Sequence, residues 1–143
     1  MKIGFAADHA GYQLKSFLIE LVKNKELEFV DFGTNSTESV DYPDFAHLLA
    51  VAVENKDVDY GIAVCGTGNG INMTLNKHRK IRAALCWNSE IAALARKHNN
   101  ANVCSLPARF ISETEAAEII ETFISTDFEG GRHQKRIDKI ECK

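Results

Sequence analysis

A chain of 143 residues with 45% hydrophobic and 26% charged content holds enough apolar material for one ordinary core and needs no cross-links to close it. A net charge of −3 with 8% aromatics leaves no broad basic face interleaved with aromatic rings, which argues against nucleic-acid binding, and no apolar run approaches membrane-spanning length. The four cysteines, at 65, 86, 104 and 142, lack Cys-x-x-Cys spacing and do not cluster with histidine, so neither zinc nor a disulfide framework is indicated. Met1–Ala6 runs directly into a strand-like segment without a secretory apolar region, and the expected compartment is the cytoplasm. The charge is uneven: residues 132–143 carry five Lys/Arg against two acids, leaving twelve against eighteen in the rest.

In chain order, Lys2–Ala7 reads as a strand ending in Asp8-His9-Ala10-Gly11, followed by Leu14, Phe17, Leu18, Leu21 and Val22 at helical spacing. Glu28–Phe32 is a second strand, closed by the polar turn Gly33-Thr34-Asn35-Ser36. Tyr42-Pro43 opens a helix with a stripe of Phe45, Leu48, Leu49, Ala52 and Val53, Pro43 suiting its first turn. The third strand is Tyr60–Val64. After a glycine-rich loop, a helix is expected from Ile71 to about His78, poor in propensity because of Asn72, Thr74 and Asn76.

Arg82–Cys86 is the fourth strand, and Asn88-Ser89 caps a helix running from Glu90 to about His98. Asn102–Leu106 is the fifth strand, and Ser112-Glu113-Thr114-Glu115 is a capping box opening a helix striped with Ala116, Ile119, Ile120, Phe123 and Ile124. After Gly130-Gly131, residues from Arg132 to about Glu141 are helical in pattern but offer only Ile137 and Ile140 as apolar anchors. Alternation of strand and helix with short connections predicts one α/β domain over residues 1–143: a three-layer αβα, doubly wound, Rossmann-like five-stranded parallel sheet, with residues 131–143 as a C-terminal helical arm. Ligands of such sheets bind at the carboxyl ends of the strands, where Asp8–Gly11 and Cys65–Gly70 are the loops richest in chemistry.

The apolar run Ile62-Ala63-Val64 breaks into Cys65-Gly66-Thr67-Gly68-Asn69-Gly70 and a helix start. Three familiar glycine loops fail here on residues. A dinucleotide fingerprint needs glycine where Ile71 stands, a Walker loop needs Lys and Ser/Thr where Ile71-Asn72 follow, and a cysteine phosphatase loop needs arginine at 71. What remains is a thiol beside a backbone able to present N–H groups to an anion or a developing oxyanion, or else an inert small core residue at a turn. Asp8 after the first strand would suit a receiver domain, but the partner aspartate and lysine are absent, with Cys65 and Leu106-Pro107 in their places. The Asp8–Gly11 loop also lacks the hydroxyls of a flavin phosphate loop.

His98 ends a helix at the amino-terminal edge of the sheet, about 16 Å from Cys65 by helical rise. It is either a dipole-favoured terminal residue or the completion of a neighbouring subunit's site. Arg132 and Arg136, at i and i+4, share a helical face as a phosphate clamp requires, on a segment so poor in apolar surface that it suits an arm lying on a partner. His47, His78, Cys86, Cys104 and Cys142 have no partner visible in the sequence and read as structural.

Asp8-His9-Ala10-Gly11, Asp41-Tyr42-Pro43, Cys65-Gly66-Thr67-Gly68-x-Gly70, His98-Asn99 with Asn102-Val103, and Glu129-Gly130-Gly131-Arg132-His133-x-x-Arg136 together resemble the B-type ribose-5-phosphate isomerases, a family that includes galactose-6-phosphate isomerase subunits. The resemblance covers nearly the whole chain. It implies a homodimer or a dimer of dimers with sites at subunit interfaces, a phosphorylated sugar as substrate, and neither cofactor nor metal. It also implies Cys65 as the base moving a proton between C1 and C2 through an enediolate, the backbone of Gly66–Gly70 as the hole for that intermediate, and Thr67 assisting transfer between the oxygens.

By the same resemblance His98 opens the furanose ring, Asp8 and Tyr42 hold the sugar, His9, Arg109, Arg132 and Arg136 hold mainly the phosphate, and Asn99 contacts substrate. Asn69 departs from the family loop, which more often has an apolar residue there, and places a polar group beside the hole. The physics is consistent with this reading. A helix N-terminus favours a thiolate base, and preorganised donors at an oxyanion are worth about 3–4 kcal/mol each in the best-studied cases. The expected reaction is ribose 5-phosphate to ribulose 5-phosphate; the alternatives are a six-carbon substrate such as allose or galactose 6-phosphate, and a non-catalytic sugar-phosphate-binding module.

Overall fold

The computed structural model describes residues 1–142. Eleven elements follow one another: β1 (Lys2–Ala7), α1 (Tyr12–Asn24), β2 (Glu28–Asp31), α2 (Tyr42–Glu54), β3 (Tyr60–Cys65), α3 (Asn69–Leu75), β4 (Ala83–Leu85), α4 (Ser89–Asn99), β5 (Val103–Pro107), α5 (Glu113–Ser125) and α6 (Arg132–Ile137). The five strands form one sheet of order β2-β1-β3-β5-β4, and every pairing is parallel. The α/β doubly wound expectation therefore holds.

Strand alternation sorts the core into two layers. Ile3, Phe5, Ala7, Ile62, Val64, Cys104 and Leu106 face α1, α4 and α5, where Leu18, Ala92, Ile120 and Phe123 complete the larger cluster. On the other face Ala6, Ala63, Cys65 and Val103 meet α2 and α3 through Leu49, Ala50, Ile71 and Leu75. The chain leaves β1 toward β2 and returns across it to β3, so the winding reverses between β1 and β3. That reversal is where loops diverge at the carboxyl edge and leave room for a ligand.

Most expected boundaries hold to within a residue or two, and the differences are instructive. The helix after the glycine loop starts at Asn69 rather than Ile71, because Gly68 takes the left-handed conformation, φ 73°, and turns the chain straight into it. It ends at Leu75, with turns carrying the chain to His78. The fourth strand is three residues long and lies at the sheet edge, although Cys86 N–H still bonds to Ser105 O at 2.9 Å. α6 stops at Ile137 instead of continuing to Glu141, consistent with its sparse apolar surface: Ile140 is 59% exposed. The capping box on α5 forms as read, with Ser112 Oγ accepting from Glu115 N–H and Glu115 Oε2 from Ser112 N–H. Among the described residues, no helix is long and apolar enough to cross a membrane.

Candidate active site

Cys65 is the last residue of β3, paired with Pro107 of β5 and only 4% exposed. Two backbone bonds then stitch the neighbouring loop to it: Ala108 N–H donates to Cys65 O at 2.9 Å and Arg109 N–H to Gly66 O at 3.0 Å. This fixes Arg109 over the glycine loop, its guanidinium 3.3 Å from where a Gly66 Cβ would stand. Thr67 is exposed, and its hydroxyl accepts from Asn69 N–H at 3.2 Å, forming the turn that leads into α3. Gly70 sits against Tyr42, whose ring carbon Cζ would be 2.4 Å from a side chain there. The absence of Cβ atoms brings Tyr42 and Arg109 onto the loop.

On the β1 side, Asp8 N–H donates to Val64 O at 3.2 Å, tying this loop to the end of β3. Asp8 is buried at 7% exposure, and its Oδ1 accepts from Gly11 N–H at 3.1 Å. His9 Nδ1 lies 3.2 Å from Val40 N and 3.3 Å from Val40 O, so the Val40 peptide anchors the ring at this nitrogen and leaves Nε2 free for other partners. These side chains line a cleft of about 500 Å³ that brings Asp8, His9, Tyr42, Cys65, Thr67 and Arg109 together with the backbone of Gly66 and Gly70. Gly68 is buried at the turn, beneath Leu85 and the Leu106–Pro107 backbone, and Asn69 is exposed at the first position of α3.

The remaining candidates lie elsewhere. His98 and Asn99 end α4; Asn99 borders a separate hollow of about 530 Å³ with Arg79, Arg82 and Ile140. Arg132 and Arg136 are exposed on α6, one turn apart, as the i and i+4 spacing requires. α6 is held against α4 of its own chain. Glu129 N–H donates to Lys97 O at 3.1 Å, and the His98 and His133 rings stack with centroids 4.4 Å apart and planes 15° from parallel. The Cys65 cleft and the His98–α6 group are thus separate within one chain.

His98, Glu129 and His133 could each offer an atom to a cation, these atoms lying within 4.8 Å of one another. Nearly parallel stacked rings, however, direct their in-plane lone pairs side by side rather than at a common point, so the observed rotamers do not fit one ion. His133 is 5% exposed; burial first, then His98 and Arg132, hold its pKa below the ordinary histidine value against the opposing pull of Glu129.

Two groups that looked unpartnered in sequence do have partners. His47 Nδ1 lies 2.8 Å from His78 Nε2, and His78 Nδ1 lies 3.2 Å from Glu54 Oε2. Cys86 and Cys104 are fully buried neighbours, and burial with the adjacent Cys86 thiol pushes Cys104 well up, as befits inert core thiols. Lys15, wholly buried, is neutralised by Asp31. Each pairing joins residues distant in sequence, so no local pattern announced it.

The fold is a doubly wound α/β protein with a cleft at its switch point, the place where sheets of this kind bind small molecules. The Ribose/Galactose Isomerase family matches residues 3–140, and the chain belongs to that family. A relative from Escherichia coli (strain K12), named ribose-5-phosphate isomerase B, is 40% identical over 139 residues, covering 97% of this chain and 93% of the relative. The structure of ribose-5-phosphate isomerase B from Clostridium thermocellum is similar with a TM-score of 0.97 at 46% identity, covering 98% of this chain and 95% of that one. The Mycoplasma genitalium ribose-5-phosphate isomerase B, solved with bound ribulose-5-phosphate, gives 0.92 at 48% identity, covering 97% and 93% of the two chains.

Proposed function

We propose that this protein interconverts ribose 5-phosphate and ribulose 5-phosphate by proton transfer through an enediolate. The observation that carries the reading is the cleft itself, in which a thiol, a glycine-rich backbone opening a helix, and Arg109 converge at the switch point. The family and its relatives named ribose-5-phosphate isomerase B support the substrate.

In this scheme Cys65 removes the C2 proton of the open aldose and returns a proton to C1. Charge that develops on O1 and O2 is met by N–H groups around Gly66–Gly70, and Thr67 relays the proton between the two oxygens. Asp8 and Tyr42 position the sugar hydroxyls, with Asn69 at the rim. His9 and Arg109 hold the phosphate end. No redox cofactor enters, because the hydrogen lost at one carbon is regained at the next.

The reaction also needs His98 to open the furanose, Asn99 to contact the sugar, and Arg132 and Arg136 to clamp phosphate. All four lie outside their own chain's cleft, which supports a homodimer, alone or paired further, whose sites combine Cys65 of one subunit with His98 of the other. The setting we infer is the cytoplasm, with residues 1–143 acting as one domain. Since the family also takes its description from galactose isomerases, a six-carbon sugar phosphate is the second reading. Comparing kcat/KM on ribose 5-phosphate with that on allose and galactose 6-phosphates decides between them: a preference for a hexose would overturn the first. Solvent deuterium should enter C1 or C2 of the sugar; tight binding without exchange would point instead to a binding module.

A further inference from the structure

We propose that His133 is a positioning residue for His98, setting the plane of that ring for furanose opening through the stack between them. The inference rests on the proposed isomerase reading and adds to it a residue that the reading leaves idle.

Three observations converge on His133. It is the residue that α6 buries, at 5% exposure, while its neighbours Arg132 and Arg136 stay exposed. Its ring covers His98 at 4.4 Å and 15°, a contact that leaves His98 little freedom to rotate. Its Nε2 lies 3.5 Å from Glu129 Oε2, and Glu129 is itself fastened by its N–H to Lys97 O, the residue before His98. His98 therefore stands between its own helix end and a ring locked from the far side.

Ring opening makes specific demands on such a group. The O1–H and C1–O4 bonds of the furanose break while the C1=O1 double bond and an O4–H bond form, so one proton leaves O1 and one reaches O4 with no net change. An imidazole does this only when its nitrogen lies in line with the moving proton. His133 supplies a flat face beside His98, and burial holds its pKa below the ordinary histidine value, which favours the uncharged ring.

The two substrates separate this role from the rest of the site. Ribulose 5-phosphate carries its phosphate on the hydroxyl that would close a furanose, so it is always open. Ribose 5-phosphate is mostly cyclic and needs opening. The experiment compares wild type, His133→Ala and His133→Phe by steady-state turnover of ribose 5-phosphate and by deuterium exchange into ribulose 5-phosphate.

His133→Ala should lose about tenfold or more in kcat on ribose 5-phosphate while exchange into ribulose 5-phosphate stays within about threefold, and His133→Phe, which keeps a stacked ring, should recover most of the loss. Parallel loss in both assays with a raised KM would mean that α6 has simply come away with its arginines, and would overturn the positioning role. Unchanged ribose turnover in His133→Ala, or no recovery in a folded His133→Phe, would overturn it as well. Wild-type protein silent in both assays would instead overturn the isomerase reading, and this inference with it.

Discussion

The Cys65 cleft and the His98–α6 group are assembled from different material. In the cleft, backbone does most of the positioning: the β3 and β5 loops are stitched by paired amide bonds, Asp8 hangs from Val64, and Gly66 and Gly70 admit Arg109 and Tyr42 to close range. In the other group, side chains on two helix ends hold one another, with a stacked histidine pair between α4 and α6 and one backbone bond joining α4 to the segment that precedes α6. A sheet edge is rigid because every strand is paired on it, whereas a short terminal helix keeps its place by a few contacts. The half assigned to carbon chemistry is thus the stiffer, and the half assigned to ring opening and phosphate capture is the more easily displaced.

The strongest way to test that division is to remove the thiol. Cys65→Ala should lower kcat by about 10²–10⁴-fold with little change in stability, as expected for deleting a positioned base. Full turnover in that variant would remove Cys65 from the mechanism.

Mixing subunits tests whether the halves belong to different chains. Cys65→Ala and His98→Asn proteins, each impaired alone, should regain about a quarter of wild-type activity when exchanged one to one, because half the dimers are mixed and each mixed dimer has one intact site. Failure to recover, with subunit exchange verified by mass spectrometry, would place both residues' roles within one chain. A smaller effect is expected from the clamp. Arg132→Ala or Arg136→Ala should raise KM about 10- to 100-fold with a modest change in kcat, matching the loss of one charged hydrogen bond. Equal damage on a substrate analogue lacking phosphate would refute the assignment.

The two groups also differ in how far the sequence disclosed them. The cleft was readable because its loops follow β1 and β3 directly, and an apolar run that breaks into glycines states both the strand end and the close approach. His98 and the arginines were readable as chemistry, and the helical rise already set His98 far from its own Cys65. The stack of His98 on His133 was not, since two helix ends meet there only through the fold. The same is true of His47, His78 and Glu54, and of Lys15 with Asp31, where pairing depends on which helix lies over which strand. Placement of β5 between β3 and β4 is likewise a property of the whole sheet. Alternating strands and helices specify layers, not strand order.

The mildest prediction sharpens the contrast through pH. His133 titrates below its ordinary value of 6.5 in the folded chain, chiefly through burial and then through His98 and Arg132, with Glu129 opposing and Arg136 adding to the depression. As pH falls below 6.5 the unfolded chain takes up this proton before the folded one does, so stability should decline toward the depressed folded value. Glu54 is lowered from 4.5, mainly by the Lys80 N–H and with help from His78 against the cost of burial, so its contribution is present above 4.5 and lost as pH falls through its folded value. The two windows separate the regions. His133→Phe should flatten the urea midpoint between pH 6.5 and its acid limb, leaving the fall below 4.5 in place, and Glu54→Gln should do the reverse. Identical slopes in wild type and His133→Phe across the upper window would show that the α4–α6 contact carries no proton linkage, and would make the stack a matter of shape alone.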